Sequence, residues 1–554
     1  MVAASTTAMV PGSWKLRLPT WRGKSMERRL ARVSAAGSLL LCPLRAQKAD
    51  SFPAVLAQKI QYVVVLFTEN RSFDSVYGSF PGANGLAQAK ANQVHQTDNL
   101  GRPLACLPQP FLSDTTIPDP RFPPAAVKDR FGQGISELVA APPNERSLAN
   151  GYFDADRFAG LDAVSGDMAH RFYTEQYQIN RVKDPKNAGG SPMSKFVAWS
   201  DNPGLVMGVY DVQNLGEARI AKEFVLCDNV FHSAFGGSFL NHFWLVSARS
   251  PVWQHFSASA DSSRVKRTVF DPNGYPTASN ETLLDWPLTN DPKLEAFTHS
   301  NTAIALGPDD YWAVNTLQPS HGPSDSDVGS RLPMQEFDTI GDRLTAGGVT
   351  WAWFSGGWDD AKAGRADGLF QYHHQPFAYF KRYALAKAPV ETGPQTVGVP
   401  GVDSLASARF LKDEKDFVAA LDNGTLPQVS FVKPLGKSSG HPGQSSVWSE
   451  QEWVSEMIHR IRKSPYWDRV AVFVIPDENG GLWDHVPPPT IDTWGPGTRV
   501  PMVIVSPYAK RRYVDHTQYE TVSILKFIEL RWSLPALNQR DEAANAPLNA
   551  FSLE

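Results

Sequence analysis

Asp477 and Glu478 stand side by side where an apolar run ends, just before Gly480, Gly481 and His485. Two adjacent acids at the end of a buried strand repel each other unless a cation holds them, so the pair points to a metal site rather than a solvated turn. Hard divalent ions take carboxylate oxygens, while zinc or iron would also accept imidazole. Glu69 and Asn70 repeat the pattern after the apolar run 62–67. An acid and an amide there can reach a metal or an anionic substrate, or cap a helix N-terminus. Gly236-Gly237-Ser238 reads as a strand-to-helix turn, where backbone N–H groups and the helix dipole favour an anion. Ser238 is then a helix cap, a nucleophile facing a bound phosphate, or both. His373 and His374 are adjacent and cannot both face one core, which leaves at least one for solvent or ligand. His441 lies in a Gly/Ser loop. His170 falls in 166–177, whose apolar spacing is helical, and by itself it is an ordinary helical histidine.

The elements that must carry these groups are legible as apolar runs. Residues 62–67, 224–231, 350–355, 427–434, 468–476 and 500–506 are β-branched or aromatic without polar alternation, as in strands of a parallel sheet buried on both faces. Helices are expected up to Glu223, from Ser238 to about Val246, over 447–463 and over 521–532. The predicted fold class is α/β, a large, mostly parallel central sheet flanked by helices, with long loop insertions near 87–145 and 250–345. In such sheets ligands bind outside the carboxyl ends of the strands.

The chain has 554 residues, 42% hydrophobic and 11% aromatic, enough for one large elaborated α/β unit. A net charge of -4 gives no global basic field, which excludes nucleic acid as the main partner and makes any phosphate recognition local. Residues 1–47 read as a leader: a basic stretch from Met26, a short apolar region over 33–42 and a cleavable segment near Ala46. Residues 48–554 are expected to form a single large domain. No later run reaches the roughly 18 apolar residues of a membrane span. The protein is therefore expected to be exported, to the periplasm or beyond. Cys106 and Cys227 are expected either as one disulfide or as two buried thiols.

Four strand ends thus deliver Glu69-Asn70, Ser238, His373-His374 and Asp477-Glu478, with His441 and His485 in nearby loops. A serine hydroxyl on a metal is acidified into a nucleophile, and the metal withdraws charge from a phosphoryl oxygen. This suggests phosphoryl transfer through a phosphoserine, with histidines neutralising phosphoryl oxygens or protonating the leaving alkoxide. The stretches 69–74, 477–489 and 515–525 resemble a bacterial phosphoesterase family that contains phosphatidylcholine-type phospholipases C and exported acid phosphatases. The resemblance runs from about residue 60 to about 537 and implies an alkaline-phosphatase-like core. It further implies one divalent metal ion, of unspecified identity, held by Glu69, Asn70, Ser238, Asp477 and Glu478. Catalytic or phosphate-contacting roles fall to His170, His373, His374 and His441, and substrate-binding roles to Asn241 and His485.

Gly-Gly-Ser-Phe-Leu-Asn at 236–241 is similar to the acid-phosphatase branch, where the phospholipases carry a threonine between other neighbours. Asn479 stands where phospholipases commonly show histidine, and the additional C-terminal domains of many phospholipases are not expected. The leading expectation is accordingly an exported acid phosphatase acting on phosphomonoesters. A phospholipase C acting on phosphodiester lipids is the alternative, and a metal- or phosphate-binding protein without catalysis the third. Protonated histidines around the phosphate would give an acid pH optimum.

Overall fold

The computed structural model describes residues 52–108, 138–139, 148–157, 159–181, 189–258, 266–272, 274–277, 287–294, 306–315, 319–320, 332–383 and 409–553. The leader expected over 1–47 lies outside them. Residues 50–554 form one compact unit.

All six apolar runs are strands, and their lack of alternation has the expected cause. In β1 (Tyr62–Thr68), β2 (Val225–Phe231), β3 (Trp351–Ser355), β5 (Val429–Lys433), β6 (Val470–Pro476) and β7 (Arg499–Val505) nearly every residue is buried. Three short strands join them: β4 (Leu411–Asp413), β8 (Tyr513–Asp515) and β9 (Tyr519–Glu520). The order is β4-β3-β5-β1-β6-β7-β2-β8, with β9 also on β2. Every pairing is parallel except those of β7 with β6 and β2. Two antiparallel steps restore direction, so β2 points the same way as β1 and ends at the same edge. The protein is thus a mixed α/β fold with a large, mostly parallel sheet.

The register decides which residues meet at that edge. Thr68 pairs with Pro476, so Glu69 and Asp477 leave the sheet together. Lys433 pairs with Ser355 at the end of β5. Among the helices are α1 (Phe73–Tyr77), α2 (Phe172–Gln178), α3 (Gly216–Glu223), α4 (Ser238–Ser247), α5 (Val447–Lys463) and α6 (Val522–Trp532). α3 packs on α5 and α4 on α6. α4 is buried at all its residues, as its near-continuous apolar sequence demands.

The structure departs from the sequence reading at two places and decides between two alternatives at a third. The helix expected over 166–177 begins only at Phe172. Asp167 Oδ1 accepts the Met168 N–H and Asp201 Oδ1 the Ala169 N–H, both at 2.8 Å, which diverts the backbone from a helical ladder and leaves His170 on a non-helical approach. Cys106 and Cys227 are free, buried thiols, and the disulfide alternative is not formed. Of the segment read as a surface excursion near 87–145, Leu104, Cys106 and Leu107 are buried, while 109–137 and 140–147 lie outside the described residues. Within 250–345 the short strands Val252–Trp253, Lys266–Arg267, Pro287–Thr289 and Tyr311–Ala313 form a small sheet of their own. Among the described residues no helix is long and apolar enough to cross a membrane.

Two-sided burial of β6 is testable at Ile475, which is fully buried. Ile475→Ala is expected to lower the unfolding free energy by about 2–5 kcal/mol in chemical denaturation. A loss below about 0.5 kcal/mol, the scale of a surface substitution, would show that the strand is not packed on both sides.

Candidate active site

Glu69, Asn70, Asp477 and Glu478 meet, fully buried, where β1 and β6 end. Backbone hydrogen bonds lock the two turns together: Asp477 N–H to Thr68 O at 3.1 Å and Arg71 N–H to Glu478 O at 3.0 Å. Asn70 has φ +53°, in the left-handed region that asparagine tolerates better than most residues, and its N–H donates to Asp477 Oδ1 at 3.3 Å. Gly480, at φ +64°, closes the cradle; a Cβ there would lie 2.9 Å from Asn70 O.

Three oxygens inside this cradle, Glu69 Oε2, Asp477 Oδ2 and Glu478 Oε1, are buried without a hydrogen-bond partner. Glu69 Oε1 faces two nitrogens, Lys433 Nζ at 2.8 Å and His374 Nε2 at 2.5 Å. Burial alone would raise the Glu69 carboxyl, but His374 and Lys433 hold it well below the usual range. Burial raises Asp477 to about 6, against the pull of Lys433. Burial and the adjacent Asp477 raise Glu478 well above an ordinary carboxyl. Buried oxygens without donors, in a set that also includes an amide and a hydroxyl oxygen, suit a hard divalent cation.

Ser238 opens α4, with Gly237 as the preceding cap. Its Oγ lies 3.4 Å from Asn70 Oδ1. Gly236, at φ +94°, packs so closely that a Cβ would sit 2.7 Å from the Phe172 nitrogen, so the turn requires glycine. A pocket of about 160 Å³ opens at Ser238, and its walls include His170, His373, His374 and His441. These are all five residues expected to be catalytic. His170 Nδ1 lies 2.5 Å from Met168 O, which makes it the protonated nitrogen and turns the Nε2 lone pair toward Asn70 Nδ2, 3.5 Å away.

Asn241 and His485 are not in that wall. Asn241 is fully buried and spends its amide on the turn, accepting from Ala234 N–H and donating to the carbonyls of Ala234, Gly236 and Gly237. It shapes the loop that presents Ser238. His485 Nδ1 contacts Asp74 Oδ2 at 2.6 Å, in a separate buried network where Arg499 also pairs with Asp74 and Asp484. The Asp74–Asp484–His485 group has ligand-like spacing, but the Arg499 guanidinium already supplies its cation.

Sequence reasoning missed Lys433 and His242. A lysine at the end of an apolar strand is costly to bury unless paired, which was the available clue. His242 lies one turn beyond Ser238, contacts Ser238 O at 2.7 Å through Nδ1, and leaves Nε2 buried and unpartnered.

Burial opposes the histidine protonation on which the expected acid optimum rests. With Arg171 and His441 adding to it, burial lowers His170 to about 3. His373 is lowered well below the ordinary value by burial and His374, and His374 is lowered by burial against the opposing charge of Glu69.

The sequence matches the phosphoesterase family across residues 60–535. The chain belongs to that family. Similar proteins include a non-hemolytic phospholipase C of Pseudomonas aeruginosa, 26% identical over 38% of this chain and 32% of that protein. Phospholipase C A of Mycobacterium tuberculosis is 25% identical over 44% and 49% of the respective chains. Non-specific phospholipase C3 of Arabidopsis thaliana is 29% identical over 22% and 29%. The matches thus span less than half the length of each relative. Among solved structures, a protein in the alkaline phosphatase superfamily from Vibrio parahaemolyticus aligns with a TM-score of 0.27 at 11% identity, covering 59% of this chain and 62% of that one. Murine ectonucleotide pyrophosphatase/phosphodiesterase 5 aligns at 0.28 and 10%, covering 60% and 94%.

Protons and a cation compete for Asp477 and Glu478. Both carboxyls are raised in the folded state, so from about pH 4, where unfolded carboxyls ionise, upward through about 6 the metal-free fold loses stability relative to the unfolded chain. A divalent ion removes that loss. The rise in Tm produced by saturating Mn²⁺ is therefore expected to be larger at pH 7.5 than at pH 5, and to shrink in Glu478→Gln. Equal increments at both pH values would contradict the assignment.

Proposed function

We propose that the protein is a metal-dependent phosphoester hydrolase in which Ser238 is the nucleophile. The observation that carries this reading is the serine at a buried helix start, 3.4 Å from Asn70 Oδ1, between a cradle of donor-less carboxylate oxygens and a histidine-walled pocket. Glu69, Asn70, Asp477, Glu478 and Ser238 would hold one divalent ion. Bound there, the ion would lower the pKa of the serine hydroxyl and draw charge from a phosphoryl oxygen.

Ser238 Oγ attacks phosphorus and releases its proton to water as the new O–P bond forms, while the ester P–O bond breaks and its oxygen takes a proton from water and leaves as an alcohol. Water then attacks the phosphoserine, the Oγ–P bond breaks, and the serine regains its proton as phosphate departs. The N-terminal N–H groups of α4 face the developing charge. His170, His373 and His441 line the pocket around the phosphoryl and departing oxygens, where a ring N–H can donate to them. Asn241 holds the loop that aims Ser238.

Phosphomonoesters are the substrates this site favours. The pocket of about 160 Å³ suits a phosphoryl group with little beyond it, and the Gly-Gly-Ser-Phe-Leu-Asn turn resembles the acid-phosphatase branch. A second reading, phospholipase C activity on phosphodiester lipids, draws its support from the relatives above, all phospholipases C. Export to the periplasm or beyond rests on the basic and apolar character of residues 26–47.

Hydrolysis of p-nitrophenyl phosphate and p-nitrophenyl phosphorylcholine, by wild type and Ser238→Ala, separates these readings. The monoester is expected to be preferred, with kcat falling by roughly 10³-fold or more in the variant. Diester preference that is equally lost would assign the phospholipase reading. Turnover unaffected by Ser238→Ala would refute the nucleophile.

A further inference from the structure

Lys433 is buried to zero exposure at the end of β5, and nothing in the proposed chemistry uses it. Its ammonium has three donors and finds three oxygens. Thr68 O lies at 3.1 Å, Glu69 Oε1 at 2.8 Å and Asp477 Oδ2 at 3.6 Å. The Phe67 ring covers it, with the centroid 5.2 Å from Nζ. Strand register places it there, because β5 runs parallel beside β1 and ends beside the Glu69 turn.

Charge counting gives the position its meaning. Glu69, Asp477 and Glu478 supply three negative charges when ionised. Lys433 supplies one positive charge and a single divalent ion two, so the buried group is neutral with one ion and carries a surplus of two positive charges with a second. A fully buried cluster is tolerated near neutrality and penalised away from it. The ammonium contacts Glu69 Oε1 at 2.8 Å and stays 3.6 Å from Asp477 Oδ2, leaving that oxygen, Glu69 Oε2 and Glu478 Oε1 for the ion. Dinuclear hydrolytic sites place two metals about 3.5–4 Å apart, with carboxylates on both. Here an ammonium lies on the second side of the same carboxylates.

We infer that Lys433 is a built-in second cation, a positioning residue that fixes Glu69 and Asp477 and restricts the cradle to a single metal ion. This rests on the metal-site reading above. It also states a selectivity rule: the site discriminates by charge against a second ion, in addition to any discrimination by ligand type.

The test is Mn²⁺ titration of the metal-stripped full-length chain, read by bound metal per chain and by electron paramagnetic resonance. Wild type is expected to show a magnetically isolated ion in the cradle even at excess Mn²⁺. Lys433→Met, of similar length and uncharged, is expected to take up a second ion with a spin-coupled spectrum. It should also bind the first ion on the order of tenfold more tightly, because a nearby positive charge is gone. Lys433→Arg, which keeps the charge, is expected to stay uncoupled. A Lys433→Met variant that holds only an isolated ion overturns the inference while leaving the metal site intact. A spin-coupled pair in wild type overturns it as well, and requires no variant to fold. A wild type that binds no Mn²⁺ overturns the metal site itself, and the role of Lys433 with it.

Discussion

Three carboxylates brought out of water at adjacent strand ends are the constraint from which the rest of this site follows. Glu69, Asp477 and Glu478 are fully buried, and three of their oxygens meet no hydrogen-bond donor. Burying one unpaired charge costs several kcal/mol, and neighbouring like charges add to it. The fold answers with cations and dipoles of its own. Lys433 lies against Glu69 and Asp477, His374 against Glu69, and Asn70 and Gly480 donate backbone N–H groups to Asp477 and Glu478. What those groups leave unsatisfied is an oxygen-lined vertex beside a serine.

The same edge of the sheet carries a second acidic cluster with the opposite outcome. Asp74, Asp484 and His485 are as buried as the first group, yet Arg499, at the start of the antiparallel β7, brings a guanidinium into contact with both aspartates. Its planar fork satisfies carboxylates in a way a lysine at one flank cannot. The contrast separates an ion network closed within the chain from one in which part of the charge remains to be balanced. It also accounts for His485, which serves the network tying the 72–85 turn to the 482–486 turn and takes no place in the pocket wall.

Much of this was legible in the sequence, for identifiable reasons. Short apolar runs without alternation, rich in β-branched and aromatic residues, suit a sheet covered on both faces, so six strands and the polar groups at their ends could be read directly. Adjacent acids after such a run announced the buried carboxylate vertex, and two glycines before Ser238 announced its turn. The short strands Leu411–Asp413, Tyr513–Asp515 and Tyr519–Glu520 were not legible, because two or three residues carry no period and pairing alone makes them strands. Asn241 and His485 were misplaced because residue type does not tell which way a side chain turns. Lys433 passed unnoticed among its apolar neighbours, since its partners Thr68, Glu69 and Asp477 are remote from it in sequence. The histidine protonation states depended on burial, which only the packed structure supplies.

Anomalous scattering from crystals grown with Mn²⁺ would test the central claim most directly, because it locates the cation without reference to turnover. The account predicts one peak at about 2.0–2.6 Å from oxygens of Glu69, Asn70, Asp477 and Glu478, with Ser238 beside it. A peak placed instead among Asp167, His170 and His441, whose ligand atoms are also closely spaced, or at Asp74 and Asp484, would contradict it. So would crystals in which the carboxylate vertex stays free of metal at saturating Mn²⁺.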